Sequence, residues 1–136
     1  MPKTETISLY EGNLWRRRIV VRDPLTKAVR SLTSFKIWFM VKETRDDLDV
    51  DALISKNVLE SVEDGIALAS YTDPSTGQTT TDGCAYIDIS GSDYTPLDLG
   101  VTYEWDLQIV SPAGDNITSH EGTIKVTKKD VVKATS

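Results

Sequence analysis

From Thr102 to Ile109 the chain alternates strictly: Tyr103, Trp105, Leu107 and Ile109 are apolar, and Thr102, Glu104, Asp106 and Gln108 are polar. A period of two places one set of side chains in a core and the other in water, so this segment is predicted to be a half-buried strand. Ser111-Pro112-Ala113-Gly114-Asp115-Asn116 supplies turn residues, and Gly122-Thr123-Ile124-Lys125-Val126-Thr127 resumes the alternation. Together they predict an antiparallel hairpin at the end of the domain.

Earlier segments carry the same signal. Thr6 to Tyr10 reads as a first strand, Gly12-Asn13 as a turn, and Leu14 to Arg22 as a second strand ended by Asp23-Pro24. In that second strand Ile19 and Val21 point inward, while Arg16, Arg18 and Arg22 point outward. Lys36 to Lys42 is the most apolar run, with Ile37, Phe39 and Val41 on one face and Trp38 and Met40 on the other. Two apolar faces mark either a central strand or a strand whose outer face meets a partner.

Asp51 to Leu59 fits neither a helical nor a strand period, and Ile66 to Ala69 reads as a short strand. Asp73 to Gly77 is a turn by composition, the polar run Gln78 to Gly83 reads as its extension, and Cys84 to Ile89 is a strand. Asp93 to Asp98 is predicted to hold a short helical turn. The sum is an all-β, antiparallel two-sheet sandwich (Ig-like) of about seven to eight strands with little helix. One domain is expected over residues 1–127, followed by a polar tail over 128–136.

Composition narrows the function. At 136 residues the chain can bury a core without metals or disulfides. It has no apolar run of the roughly 20 residues that a membrane helix needs, and its first residues lack a signal-peptide core. Fifteen basic against twenty-one acidic residues give a net charge of −6, which disfavours nonspecific binding to nucleic acid or an anionic membrane. Cys84 is the only cysteine and reads as a buried small side chain.

Candidate chemistry is sparse. Asp47, Asp49 and Asp51 match positions 1, 3 and 5 of a calcium loop, but Ala52 and Val58 stand where glycine and a bidentate glutamate are required. The run is therefore read as a solvated acidic loop. His120 is the only histidine, no Gly-x-Ser-x-Gly elbow presents a serine, and one His with one Cys cannot complete a zinc site. No phosphate-binding glycine loop is present. The residues left for recognition are exposed aromatics and the basic strand: Trp15, Arg16, Arg18, Trp38, Met40, Tyr86 and Tyr94. Of these, Trp15, Trp38, Tyr86 and Tyr94 are the candidates for a carbohydrate- or host-receptor-binding module.

The order of elements resembles the small N-terminal β-sandwich of tailed-phage upper-baseplate proteins. The likeness rests on the strand Phe35 to Lys42, Asp46-Asp47 leading into Ala52 to Lys56, and Asp64-Gly65-Ile66. It continues through Ala85 to Ile89, Leu99 to Gln108 and Gly122 to Val126, spanning Thr6 to Thr127. It implies a non-enzymatic structural adaptor that packs against other virion proteins, as a homo-oligomer, with no cofactor, metal, nucleic acid, membrane or small-molecule substrate. Members of that family extend toward a receptor-binding apparatus; this chain stops at Ser136. The expectation is therefore a compact building block of a tail, baseplate, neck or head, in a virion assembled in the host cytoplasm.

Overall fold

The computed structural model describes residues 3–129. Among these residues, nine strands form two sheets. They are β1 (Lys3–Glu11), β2 (Trp15–Ile19), β3 (Lys36–Lys42), β4 (Ile54–Leu59), β5 (Val62–Asp64), β6 (Ile66–Thr72), β7 (Thr79–Ile89), β8 (Thr102–Val110) and β9 (Asn116–Lys129). The large sheet has the order β1-β9-β8-β3-β4-β5 and the small one β2-β7-β6. This is the order of a variable-type immunoglobulin sandwich, with the first strand laid on the last strand of the large sheet instead of beside β2.

The expected all-β sandwich is present, with three differences. β1 runs parallel to β9, whereas the other ladders are antiparallel. The three-residue β5 has no buried residue and hence no apolar pattern to announce it. The polar run Thr79 to Gly83, read as loop, is the first half of β7, where Thr79 and Thr80 pair with Thr72 and Tyr71. An exposed hairpin needs no apolar face, and threonine is a good strand residue. β9 also runs two residues beyond the predicted domain limit, and residues 130–136 of the predicted tail lie outside the described residues.

The core forms where inward positions of the two sheets meet. Ile37, Phe39 and Val41 of β3, with Trp105, Leu107 and Ile109 of β8, face Ile66 of β6 and Ala85, Ile87 and Ile89 of β7, all buried. Tyr103, the second residue of β8, is buried, and its hydroxyl oxygen accepts the backbone N–H of Asp98 at 2.9 Å. That is the tyrosine corner of an immunoglobulin sandwich, in which the tyrosine stands two residues before the second cysteine of the inter-sheet disulfide. The residue two places on from Tyr103 is Trp105.

A set of non-covalent contacts stands where the disulfide would be. Arg17 of β2 places its guanidinium 5.7 Å from the Trp105 ring centroid. It also forms two hydrogen bonds to the Glu5 carboxylate of β1, at 2.7 and 3.1 Å. The Trp105 indole N–H in turn donates to the Glu5 backbone oxygen at 3.1 Å. Three strands from both sheets are thus closed into one ring. Allowing about 1 kcal/mol for a partly desolvated cation–π contact, about 1 for the indole bond and under 1 for the part-exposed ion pair, the ring contributes about 2–3 kcal/mol. A disulfide contributes a similar 2–4 kcal/mol.

Gly122 makes room for this ring. It pairs with Trp105 on one side and Glu5 on the other, and a Cβ there would fall inside the van der Waals shell of the Glu5 carbonyl oxygen. The missing side chain lets the indole reach across β9 to β1. On the far flank Lys56 shares the inward face of Phe39, yet its ammonium reaches Asp93 at 2.8 Å, beyond the end of β7. Its aliphatic stem lies over Gly65, where a Cβ would stand 2.8 Å from Lys56 Cγ. The sandwich is therefore tied on both flanks by a charged residue whose stem is buried.

Gly122→Ala is expected to push β1 off β9 and to cost at least about 2 kcal/mol in urea denaturation. Amide exchange should accelerate most at Ile7 and Leu9. Tyr103→Phe, which removes only the corner hydrogen bond, should cost about 1 kcal/mol.

Candidate interaction surface

The alternation of β3 that buries Ile37, Phe39 and Val41 sends Trp38, Met40 and Lys42 to the outer face of the large sheet. Register then supplies their neighbours. Trp38 lies between Gln108 of β8 and Asn57 of β4, and Met40 between Asp106 and Ser55. Trp38, Met40, Asp49, Asp106 and Gln108 line a depression of about 320 Å³. Trp38 and Met40 are half-buried, so the strand is central and still presents an apolar outer face.

The acidic loop after β3 forms one rim. Asp47 accepts the Thr44 backbone N–H at 3.2 Å and its hydroxyl at 2.9 Å. Asp49, in a 3₁₀ turn at Asp49–Asp51, pairs with Lys42 at 2.6 Å, and Lys42 also donates to the Asp47 carbonyl at 3.0 Å. Two members of the suspected calcium triplet thus close the loop on itself. Among the described residues, no three His, Cys, Asp or Glu side chains are grouped to hold a metal ion. Next to Lys42, Arg45 bridges Glu104 at 2.8 Å and Glu121.

Asp106 differs from these carboxylates. It is half-buried, sits cross-strand from Glu121, and accepts no hydrogen bond from the described residues. Burial raises its pKa above the ordinary carboxylate value, and the like charges of Glu121 and Asp49 add to the rise, against Arg45 and Lys42. Burial therefore works against the charged form of this carboxyl.

The seven residues expected to form a surface do not share one. Trp15 packs against the core, its ring stacked on Phe39 at 6.1 Å, because inward positions alternate back from Ile19 through Arg17 to Trp15. Tyr94 is buried and its hydroxyl donates to the Asn13 carbonyl at 2.7 Å. Tyr94 is therefore corrected from a surface aromatic to an interior one, and Trp15 to a half-buried one whose ring faces the core. Arg16, Arg18 and Tyr86 lie on the outer face of the small sheet. There Arg16 chelates Asp88 at 2.7 and 3.0 Å and covers the Tyr86 ring at 4.8 Å, while Arg18 covers Tyr71 at 4.9 Å. Their cationic and aromatic groups are used against each other. Arg22, expected outward, holds the buried Asp73 with bonds of 2.8 and 3.3 Å, and with Ser75 keeps that carboxyl well below the usual range.

Only Trp38 and Met40 remain as an available pair. Their polar companions Asp106, Gln108 and Asp49 were not singled out from the sequence. The alternation of β8 puts Asp106 and Gln108 on a polar face, but the strand that lies beside them is a matter of register. His120 is half-buried, with Nδ1 3.5 Å from an Arg17 nitrogen. Cys84 is buried, as expected, with Sγ 3.6 Å from the Ala69 carbonyl.

No protein-family model matches the chain, and it matches no curated protein.

The raised pKa of Asp106 gives a signed prediction. Its carboxyl ionises more readily in the unfolded chain, so the folding penalty is absent below the unfolded Asp value of about 3.9 and complete above the folded value. Asp106→Asn should therefore raise Tm at pH 7 and leave it unchanged near pH 3, as read by thermal melts across pH.

Proposed function

We propose that the protein is a non-enzymatic structural component of a tailed-phage virion, acting through protein–protein contacts in an oligomeric assembly. The observation that carries the reading is the half-buried Trp38–Met40 pair on the outer face of the large sheet. Large apolar side chains on one sheet face, ringed by charges, have the anatomy of a small interface core and its rim. The resemblance over Thr6 to Thr127 supplies the virion context and the adaptor role. The chain's one histidine lies against the Arg17–Glu5 pair that ties the sheets, which supports a structural use of that residue. The unpaired edges of β1 and β6, among the described residues, offer further contact lines.

A carbohydrate-binding module is the second reading. It is favoured by one arrangement, an indole beside a carboxylate and an amide in an open depression. With Tyr94 inside the fold, Trp15 stacked on Phe39 and Tyr86 under Arg16, Trp38 is left as the stacking platform among the four candidates.

Light scattering over a concentration series should give a defined multiple of the 15.1 kDa chain mass, and Met40→Glu should reduce it to the monomer without changing the circular dichroism. A strict monomer whose Trp38 fluorescence responds to a free oligosaccharide would contradict the adaptor reading and favour the second.

A further inference from the structure

The lining of the Trp38 depression holds two carboxylates, Asp49 and Asp106, and no basic side chain. Lys42 and Arg45 are the basic groups whose charges act on Asp106, and each is already held in an ion pair, Lys42 by Asp49 and Arg45 by Glu104 and Glu121. Asp106 lines the depression, half-buried and without a hydrogen-bond donor among the described residues. On the same sheet face Met40 is its cross-strand neighbour, and the Trp38–Gln108 pair comes next along the ladder. Asp106 thus has no ion-pair partner of its own, the nearby cations being engaged by other carboxylates, and an indole face attracts cations.

We propose that the Trp38–Asp106 depression receives an arginine side chain from the docking partner, its guanidinium stacked on the Trp38 indole and paired with the Asp106 carboxylate. The inference rests on the reading of this face as a protein-docking surface and names the chemistry of its occupant. Arginine fits better than lysine because a planar guanidinium can stack on the ring while donating in its own plane to Asp106 and to the Gln108 oxygen. A neutral sugar would satisfy hydrogen bonds there but leave the excess negative charge in place. The chain as a whole carries −6, so a basic partner segment is also drawn in at long range.

The test uses the full chain labelled with ¹⁵N, following the three indole N–H resonances, with Trp38→Phe to assign the relevant one. An acetylated Gly-Arg-Gly amide is titrated against its citrulline counterpart, which keeps the shape and lacks the charge. The arginine peptide should move the Trp38 resonance with a Kd on the order of 1–10 mM, and the citrulline peptide should bind about tenfold more weakly. Rising salt should weaken the arginine peptide alone. Asp106→Asn should lose about tenfold in arginine-peptide binding while its Tm at pH 7 rises, so weaker binding cannot be blamed on unfolding.

Equal binding of the two peptides, an unchanged Kd in Asp106→Asn, or no shift of the Trp38 resonance at roughly 50 mM peptide would each overturn the proposal. So would a neutral oligosaccharide that moves the same resonance more tightly than the arginine peptide. If the peptide result fails while the concentration-dependent oligomer persists, the docking reading stands and only the arginine is removed. Loss of both removes the docking reading as well.

Discussion

Trp105 is the residue through which the two sheets and the first strand are held together. Its ring lies against Phe39 at 6.0 Å in the core, its edge donates to the Glu5 backbone, and its other contact is the guanidinium of Arg17 from the opposite sheet. Immunoglobulin sandwiches commonly place a disulfide across this position, two residues after the corner tyrosine. Here the cross-link is a cation over an indole, with Glu5 returning the charge to near neutrality. The arrangement requires Gly122 between Trp105 and Glu5, since any larger residue would displace β1. It also explains why an arginine can point into the sandwich at all: its head group is paired, its stem covers apolar surface, and it remains near the flank.

This internal arrangement frees the outer face of the large sheet from any structural duty. Trp38 and Met40 contribute nothing to the contact between the sheets, yet they stand on the central strand, whose backbone is bonded on both sides by β4 and β8. A rigid, central position is where a recognition residue is best oriented. Asp106 sits on the neighbouring central strand at a cost to stability, and groups held at such a cost cluster at sites of function. The small sheet shows the opposite habit. Its arginines, tyrosines and Asp88 satisfy one another, which leaves a polar, self-contained surface and blunts the edge of β2.

Strong alternation made β1, β8 and β9 legible in the sequence, because a period of two sustained over five or more residues fits a strand and breaks the face of a helix; β3 was legible instead as a continuous apolar run. β5 and the first half of β7 were not legible, since neither buries an apolar row. The parallel pairing of β1 with β9 joins the two ends of the described chain, and no local pattern encodes a partner more than a hundred residues away. The same limit governed the site. Trp38 and Met40 were visible as apolar residues on the wrong face, but Asp106 gains its meaning only from the register that seats it beside Met40. Trp15 and Tyr94 read as surface aromatics because aromatic content says nothing of burial. Arg17, the residue on which the sheets turn, was hidden within a run of three arginines whose alternation assigned it to the inner face without naming a partner.

The account makes Arg17 and Trp105 an energetically coupled pair and not two independent core residues. A double-mutant cycle of Arg17→Met and Trp105→Leu, followed by urea denaturation, isolates that coupling from the packing each side chain also provides. The account predicts a coupling energy of about 1 kcal/mol or more in favour of the native pair. Additive losses, with coupling near zero, would contradict the claim that this contact takes the place of a disulfide.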